Sequence, residues 1–145
     1  MARIYVSSVI NAPAKTVWDR VRDFNGLPKW HPLIRDSRIE DAVPADKVGC
    51  IRNFHLQNGE NIREQLLGLS DFDMFCTYSI LESHMPLSDY IATLRLTPVT
   101  DGERTFIEWT AEFECDLDAE QDLTSGIAND VFQPGFDALQ RSLGN

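Results

Sequence analysis

Chemistry in this chain is concentrated at a few positions. His31, in "KWHPLI", stands between Pro28 and Pro32 and beside Trp30. Both forms of an imidazole are accessible near neutral pH, so a held His31 is suited to contact a ligand or to pass a proton. The competing reading is an exposed loop histidine or a helix-end cap. Arg52 and Glu64 can form an ion pair in which the guanidinium keeps the carboxylate ionised and lets it orient a polar ligand atom. At the surface the same pair is worth only about 0–1 kcal/mol. Tyr78, Tyr90 and Trp109 each join an apolar body to a polar tip, which suits gripping an aromatic or polycyclic molecule and fixing its orientation. Ordinary core filling is the alternative, and for Trp109 the two stand level.

Other chemistries lack their signatures. His55 and His84 have no metal-ligand spacing with each other or with His31, and neither HExxH nor paired cysteines occur. There is no GxSxG, GxGxxG or Walker loop. The sequence implies no metal and no cofactor. Cys50, Cys76 and Cys115 are an odd number without CxxC spacing, which predicts buried, reduced thiols.

These side chains need a scaffold, and hydrophobic periodicity describes one. Residues 3–11 alternate as a strand; Pro13 then suits the first turn of a helix whose stripe is Val17, Trp18, Val21 and Phe24. "FNGLPKWHP" ends that helix and leaves room for a second, very short one. Strand-like runs follow at 33–42, 47–57, 61–70, 73–83, 89–98 and 104–114, with short turn-rich breaks that favour an antiparallel meander. In "TFIEWTAEFE" Ile107, Trp109, Ala111 and Phe113 share one face, and Glu108, Thr110, Glu112 and Glu114 the other: one sheet face is covered and one is wet. The cover is a helix over 120–143, with a stripe through Leu123, Ile127, Val131, Phe132, Phe136, Leu139 and Leu143, and a kink or break at Pro134-Gly135.

The ion pair poses a question of register. A two-residue Asn58-Gly59 turn would pair residue 57 with 60 and put Arg52 and Glu64 on opposite faces. Both point inward only if the loop holds an odd number of residues, as in a turn followed by a glycine bulge, and that is the expectation here.

The 145 residues have the size of one globular domain, and the net charge of −10 argues against nucleic acid or anionic lipid as partner. "MARIYVSSVINAP" lacks the marks of a secretory signal, and no apolar run reaches the ~20 residues of a membrane span. The expected address is the cytoplasm, without membrane insertion.

"APAKTVWDRVRDFNGLPKWHPLI", "VGCIRNFHLQNG", "REQLL", "YSILES", "DYIATLRLTP" and "EWTAEFE" occur in an order that resembles the START/Bet v 1-like superfamily, also called SRPBCC, over nearly the whole chain. Within it the chain is most similar to bacterial polyketide cyclase/dehydrase and lipid-transport-like proteins, and it shares segments with the plant abscisic-acid receptors. The resemblance implies an α+β helix-grip fold: a seven-stranded curved antiparallel sheet around a long C-terminal helix, with two short helices after the first strand. It further implies a ligand cavity between sheet and helix, reached through loops at one end.

On that resemblance His31 matches the position where the plant receptors place a lysine that meets the ligand carboxylate. Glu64 matches a cavity glutamate, Tyr78 an aromatic wall, and Tyr90 a tyrosine whose hydroxyl reaches ligand or water. Ile62, Ala92, Trp109 and Ile127 match further lining positions; Trp30, Arg52, Phe54 and Val131 complete the expected wall. The two prolines are expected to aim the imidazole at the cavity mouth. "QNGEN" is shorter than the receptors' gate loop, and "SHMPLSDY" lacks their latch, so hormone sensing is not implied.

The expected function is binding of a small hydrophobic molecule, cyclic, polyketide-like or lipid-like. One alternative is a cyclase or dehydratase in which His31, Tyr90 and Glu64 transfer protons; another is a co-chaperone-like interaction module. Met85, Pro86 and Leu87 are expected to form an apolar loop at the entrance, or else a homodimer contact.

Overall fold

The computed structural model describes residues 1–144. Seven strands form one sheet: β1 (Ala2–Ile10), β2 (Ile34–Ile39), β3 (Ile51–Leu56), β4 (Asn61–Ser70), β5 (Phe75–Glu82), β6 (Ser88–Val99) and β7 (Arg104–Glu114). β2 to β7 follow one another as the predicted meander. β1 closes the far edge against β7, with Ala2 opposite Phe113 and Ile10 opposite Thr105, so that the sheet order is β1-β7-β6-β5-β4-β3-β2. Every pairing is antiparallel. Register shifts at Ile34/Asp36, Arg63/Glu64, Leu66/Gly68 and Ser88/Ile91 mark bulges, each of which bends its strand and adds curvature to the sheet.

Helix α1 (Ala14–Val21) buries Val17, Trp18 and Val21 and is capped by Pro13, which stands just before the helix rather than within its first turn. The Trp18 Nε1–H and the Arg22 guanidinium both donate to Asp71 in the β4–β5 turn, tying the helix to the sheet. A single 3-10 turn, Leu27–Lys29, precedes His31.

β5 begins two residues later and ends one residue earlier than predicted, and two strands, β2 and β3, are shortened more. The chain expected to continue β2 to residue 42 coils into a 3-10 turn at Glu40–Ala42, with Asp41 and Ala42 at positive φ. Glu40 there accepts hydrogen bonds from Arg63 and Asn53. The chain expected to begin β3 at 47 instead turns through Gly49 at φ +96.

The inner sheet face carries the predicted alternation, with Ile107, Trp109, Ala111 and Phe113 buried. The outer face carries the charged and hydroxyl residues of the alternation, with Arg3–Glu112 and Tyr5–Glu108 bonds at its β1–β7 edge, beside the exposed Val9, Leu81 and Ile91. Cys50 and Cys76 are buried and Cys115 is half-exposed; all three are free thiols.

The C-terminal helix runs without a break from Leu117 to Leu143, as α2 (Leu117–Ile127), a π turn (Ala128–Phe132) and α3 (Gln133–Leu143). Of the kink or break predicted at Pro134-Gly135, the break does not occur. The Gln133 N–H reaches back to the Ala128 carbonyl, so the helix is irregular in the turn immediately before Pro134, which falls in the first turn of α3. Widening the helix there puts Ile127, Phe132, Phe136 and Leu139, spaced five, four and three apart, on one buried stripe.

Candidate functional site

Between the inner sheet face and this helix lies a cavity of about 360 Å³. Its size is within the range of small-molecule sites. Its rim is formed by the β3–β4 loop with Asn58 and Glu60, the β5–β6 loop with His84 and Met85, and the helix with Asp122 and Asp130.

The register question resolves at the β3–β4 loop. The Leu56 N–H bonds to the Glu60 carbonyl and the Gly59 N–H to the Leu56 carbonyl, both at 2.9 Å, so the loop is the three residues Gln57–Gly59. Gly59 lies at φ +92, which a glycine adopts without the steric cost a Cβ imposes. The result places Arg52 directly opposite Glu64, both facing inward.

The guanidinium donates to Glu64 Oε1 through Nε at 2.8 Å, with its Nη2 2.6 Å from the same oxygen, and its third nitrogen donates to the Phe24 carbonyl at 3.1 Å. It also stacks 4.0 Å over the Phe24 ring and 4.8 Å from the centroid of Tyr78. Burial pushes the Glu64 carboxyl above the usual carboxylate range while Arg52 pulls it back. With contacts this short in a desolvated setting, the two stay ionised as a pair at neutral pH.

His31 is not at the mouth. It is 1% exposed and forms part of the inner wall. Its Nε2 lies 2.7 Å from the Val131 carbonyl oxygen, and its Nδ1 accepts the Leu33 N–H at 3.2 Å. A carbonyl can only accept and an N–H can only donate, so the ring is the neutral tautomer with its proton on Nε2. Burial lowers its pKa further. The prolines hold a structural clasp between loop and helix, and the expectation of an imidazole aimed at the entrance is corrected.

Trp109 fills both of its expected roles. Its ring stacks on Phe132 at 4.3 Å and 7°, its Nε1–H donates to the Tyr78 hydroxyl at 3.0 Å, and its surface lines the cavity. The Tyr78 and Tyr90 hydroxyls are pushed well up by burial, so both remain protonated.

Of the expected wall, Phe54, Ile62, Ile127 and Val131 also line the cavity. Trp30 and Ala92 do not. Trp30 packs behind His31 and Trp109, at 5.6 and 6.0 Å between ring centroids, with its Nε1 buried and unpartnered among the described residues. Ala92 is buried, opposite Tyr78 on β5 and Ala111 on β7. The rim residues Asn58, Glu60, Asp122 and Asp130 were not singled out from sequence, because polar residues in turns and on a helix read there as solvated surface. Met85 lines the cavity, and Met85 and Leu87 pack on the core. Their apolar surface is used largely within the chain.

Gly135 explains how the helix comes so close. A Cβ there would stand 3.0 Å from His31 Cδ2, 3.1 Å from Trp109 Cζ3 and 3.2 Å from Trp30 Cζ3. Among the described residues no group of three or more His, Cys, Asp or Glu side chains is placed to hold a metal ion, and no helix is long and apolar enough to cross a membrane.

A family model described as "Polyketide cyclase / dehydrase and lipid transport" matches residues 1–144. Among solved structures, a protein from Thermobifida fusca is 28% identical, with a TM-score of 0.88 over 97% of this chain and 91% of that one. The protein XoxI from Bacillus cereus is 24% identical, with a TM-score of 0.88 over 99% of this chain and 96% of that one. Ginseng major latex-like protein 151 from Panax ginseng, at 15% identity, gives a TM-score of 0.80 over 97% of this chain and 96% of that one, a likeness of fold. No match is found among curated proteins.

Proposed function

The chain belongs to the polyketide cyclase/dehydrase and lipid transport family, and we propose from that membership and the cavity that it binds a small hydrophobic, cyclic or lipid-like molecule between sheet and helix. The observation that carries this reading is the cavity itself: about 360 Å³, walled mainly by apolar and aromatic side chains, with the Arg52–Glu64 pair, the neutral His31 ring, Tyr78 and Tyr90 as the few inner residues that carry polar groups. Apolar walls supply affinity and a small number of fixed polar groups supply orientation. An interaction module using the same fold has no need of this space. The cytoplasm is the proposed location.

Catalysis by His31, Tyr90 and Glu64 is less well supported. Both His31 nitrogens already hold the fold together, Tyr90 is held protonated, and Glu64 is neutralised by Arg52.

Native mass spectrometry of protein purified from its own host tests the proposal, together with titration by the uncharged fluorophore N-phenyl-1-naphthylamine. We expect a co-purifying small molecule or saturable probe binding, and loss of probe binding in Val131→Trp, which fills the cavity from the helix side. Neither ligand nor probe binding, or probe binding unaffected by the plug, overturns it.

A further inference from the structure

Resting on that reading, we propose that the cavity takes uncharged ligands and rejects organic anions such as carboxylates and sulfonates.

The first ground is the absence of a usable cation. Among the described residues Arg52 is the only Lys or Arg in the cavity wall, and its charge is consumed. Two of its nitrogens face Glu64 Oε1, the third donates to the Phe24 carbonyl, and one face lies against the Phe24 ring. An anion could recruit this guanidinium only by displacing Glu64, and a second carboxylate would then be left buried and unpaired. His31 offers no charge either. Its ring is the neutral tautomer, and a second proton would have to go on Nδ1, where the Leu33 N–H already points.

The second ground is the rim. Glu60, Asp122 and Asp130 bring three carboxylates to the entrance. Glu60 is paired with His84, whereas Asp122 and Asp130 are exposed and make no side-chain hydrogen bond or ion pair among the described residues, so their charge at the rim is uncompensated. The whole chain, at −10, adds a field of the same sign. An anion thus meets repulsion on approach and desolvation without compensation inside. The apolar wall also makes a buried cation costly. An uncharged ring system with a hydroxyl or carbonyl meets neither obstacle, and the Tyr78 and Tyr90 hydroxyls remain as protonated partners at neutral pH.

A matched pair of probes tests this. N-phenyl-1-naphthylamine and 1-anilinonaphthalene-8-sulfonate share one aromatic skeleton and differ by a sulfonate. In fluorescence titrations at neutral pH and low salt, we expect the sulfonate to bind at least about tenfold more weakly. Asp122→Asn/Asp130→Asn, whose positions are exposed, should narrow that gap by about threefold through the sulfonate's affinity alone, and added salt should narrow it likewise. Equal or tighter binding of the sulfonate, or a gap unmoved by the double variant, overturns the proposal. If neither probe binds, or both bind equally well to Val131→Trp, the cavity-binding reading itself falls and takes this inference with it.

Discussion

His31 Nε2 stands 2.7 Å from the carbonyl oxygen of Val131, so the loop after the first helix is fastened to the π turn of the last one. Together with the Leu33 N–H bond to Nδ1, this contact requires a neutral ring.

A pH dependence of stability follows. Burial lowers the folded-state pKa of His31 below its ordinary value of 6.5, so the unfolded chain takes up the proton first. Stability from this group is fully present above 6.5 and is lost as pH falls below it. Urea denaturation of wild type and His31→Gln at a series of pH values from 8 to 5 should show the wild-type advantage shrinking on the acid side, on the scale of about 1 kcal/mol per pH unit. An advantage that grows on acidification would contradict the clasp.

Gly135→Ala sets two effects against each other. Alanine favours a helix by about 1 kcal/mol over glycine. Its Cβ, however, would press on three rings at 3.0–3.2 Å, none of which is the free end of a flexible chain. Overpacking of this kind costs about 1–3 kcal/mol, so thermal melts should show net destabilisation.

Removing one partner of the buried pair should be worse than removing both. Arg52→Met leaves the Glu64 carboxylate without its counter-charge and should cost about 3–5 kcal/mol by equilibrium denaturation. Arg52→Met/Glu64→Leu should recover much of that loss. Equal losses in the single and double variants would mean that the pair is not electrostatically coupled in the folded protein.

Tyr78→Phe deletes the acceptor of the Trp109 Nε1–H and should cost about 1–3 kcal/mol unless water from the cavity takes its place. A red-shifted Trp emission with a smaller loss in melting temperature would report that substitution by water.

Much of this architecture was legible in the sequence, because strict alternation in "TFIEWTAEFE" and "YIATLRL" and the stripe from Leu123 to Leu143 leave few ways to bury one face. The loop before β4 was legible as well, since facing Arg52 and Glu64 to one side required an odd loop ending in glycine. The place of β1 was not, because its partner β7 lies about a hundred residues away and no local pattern encodes that pairing. The place of His31 is hidden for a related reason: residue type and flanking prolines reveal that a ring is held, but not that its two nitrogens are satisfied by Leu33 and Val131. The π turn was not legible either, because the apolar stripe also holds Val131, four residues after Ile127, and only the folded chain shows Phe132, five residues on, to be the buried one.

The Gln57–Gly59 loop imposes a counting rule on how this protein can change. Adding or deleting one residue there switches the parity of the hairpin and rotates one strand's side chains through the sheet, expelling either the guanidinium or the carboxylate from the interior. Length variation at this edge of the entrance is therefore tolerated only in steps of two, and a homologue that departs by one residue must have given up the buried charges altogether.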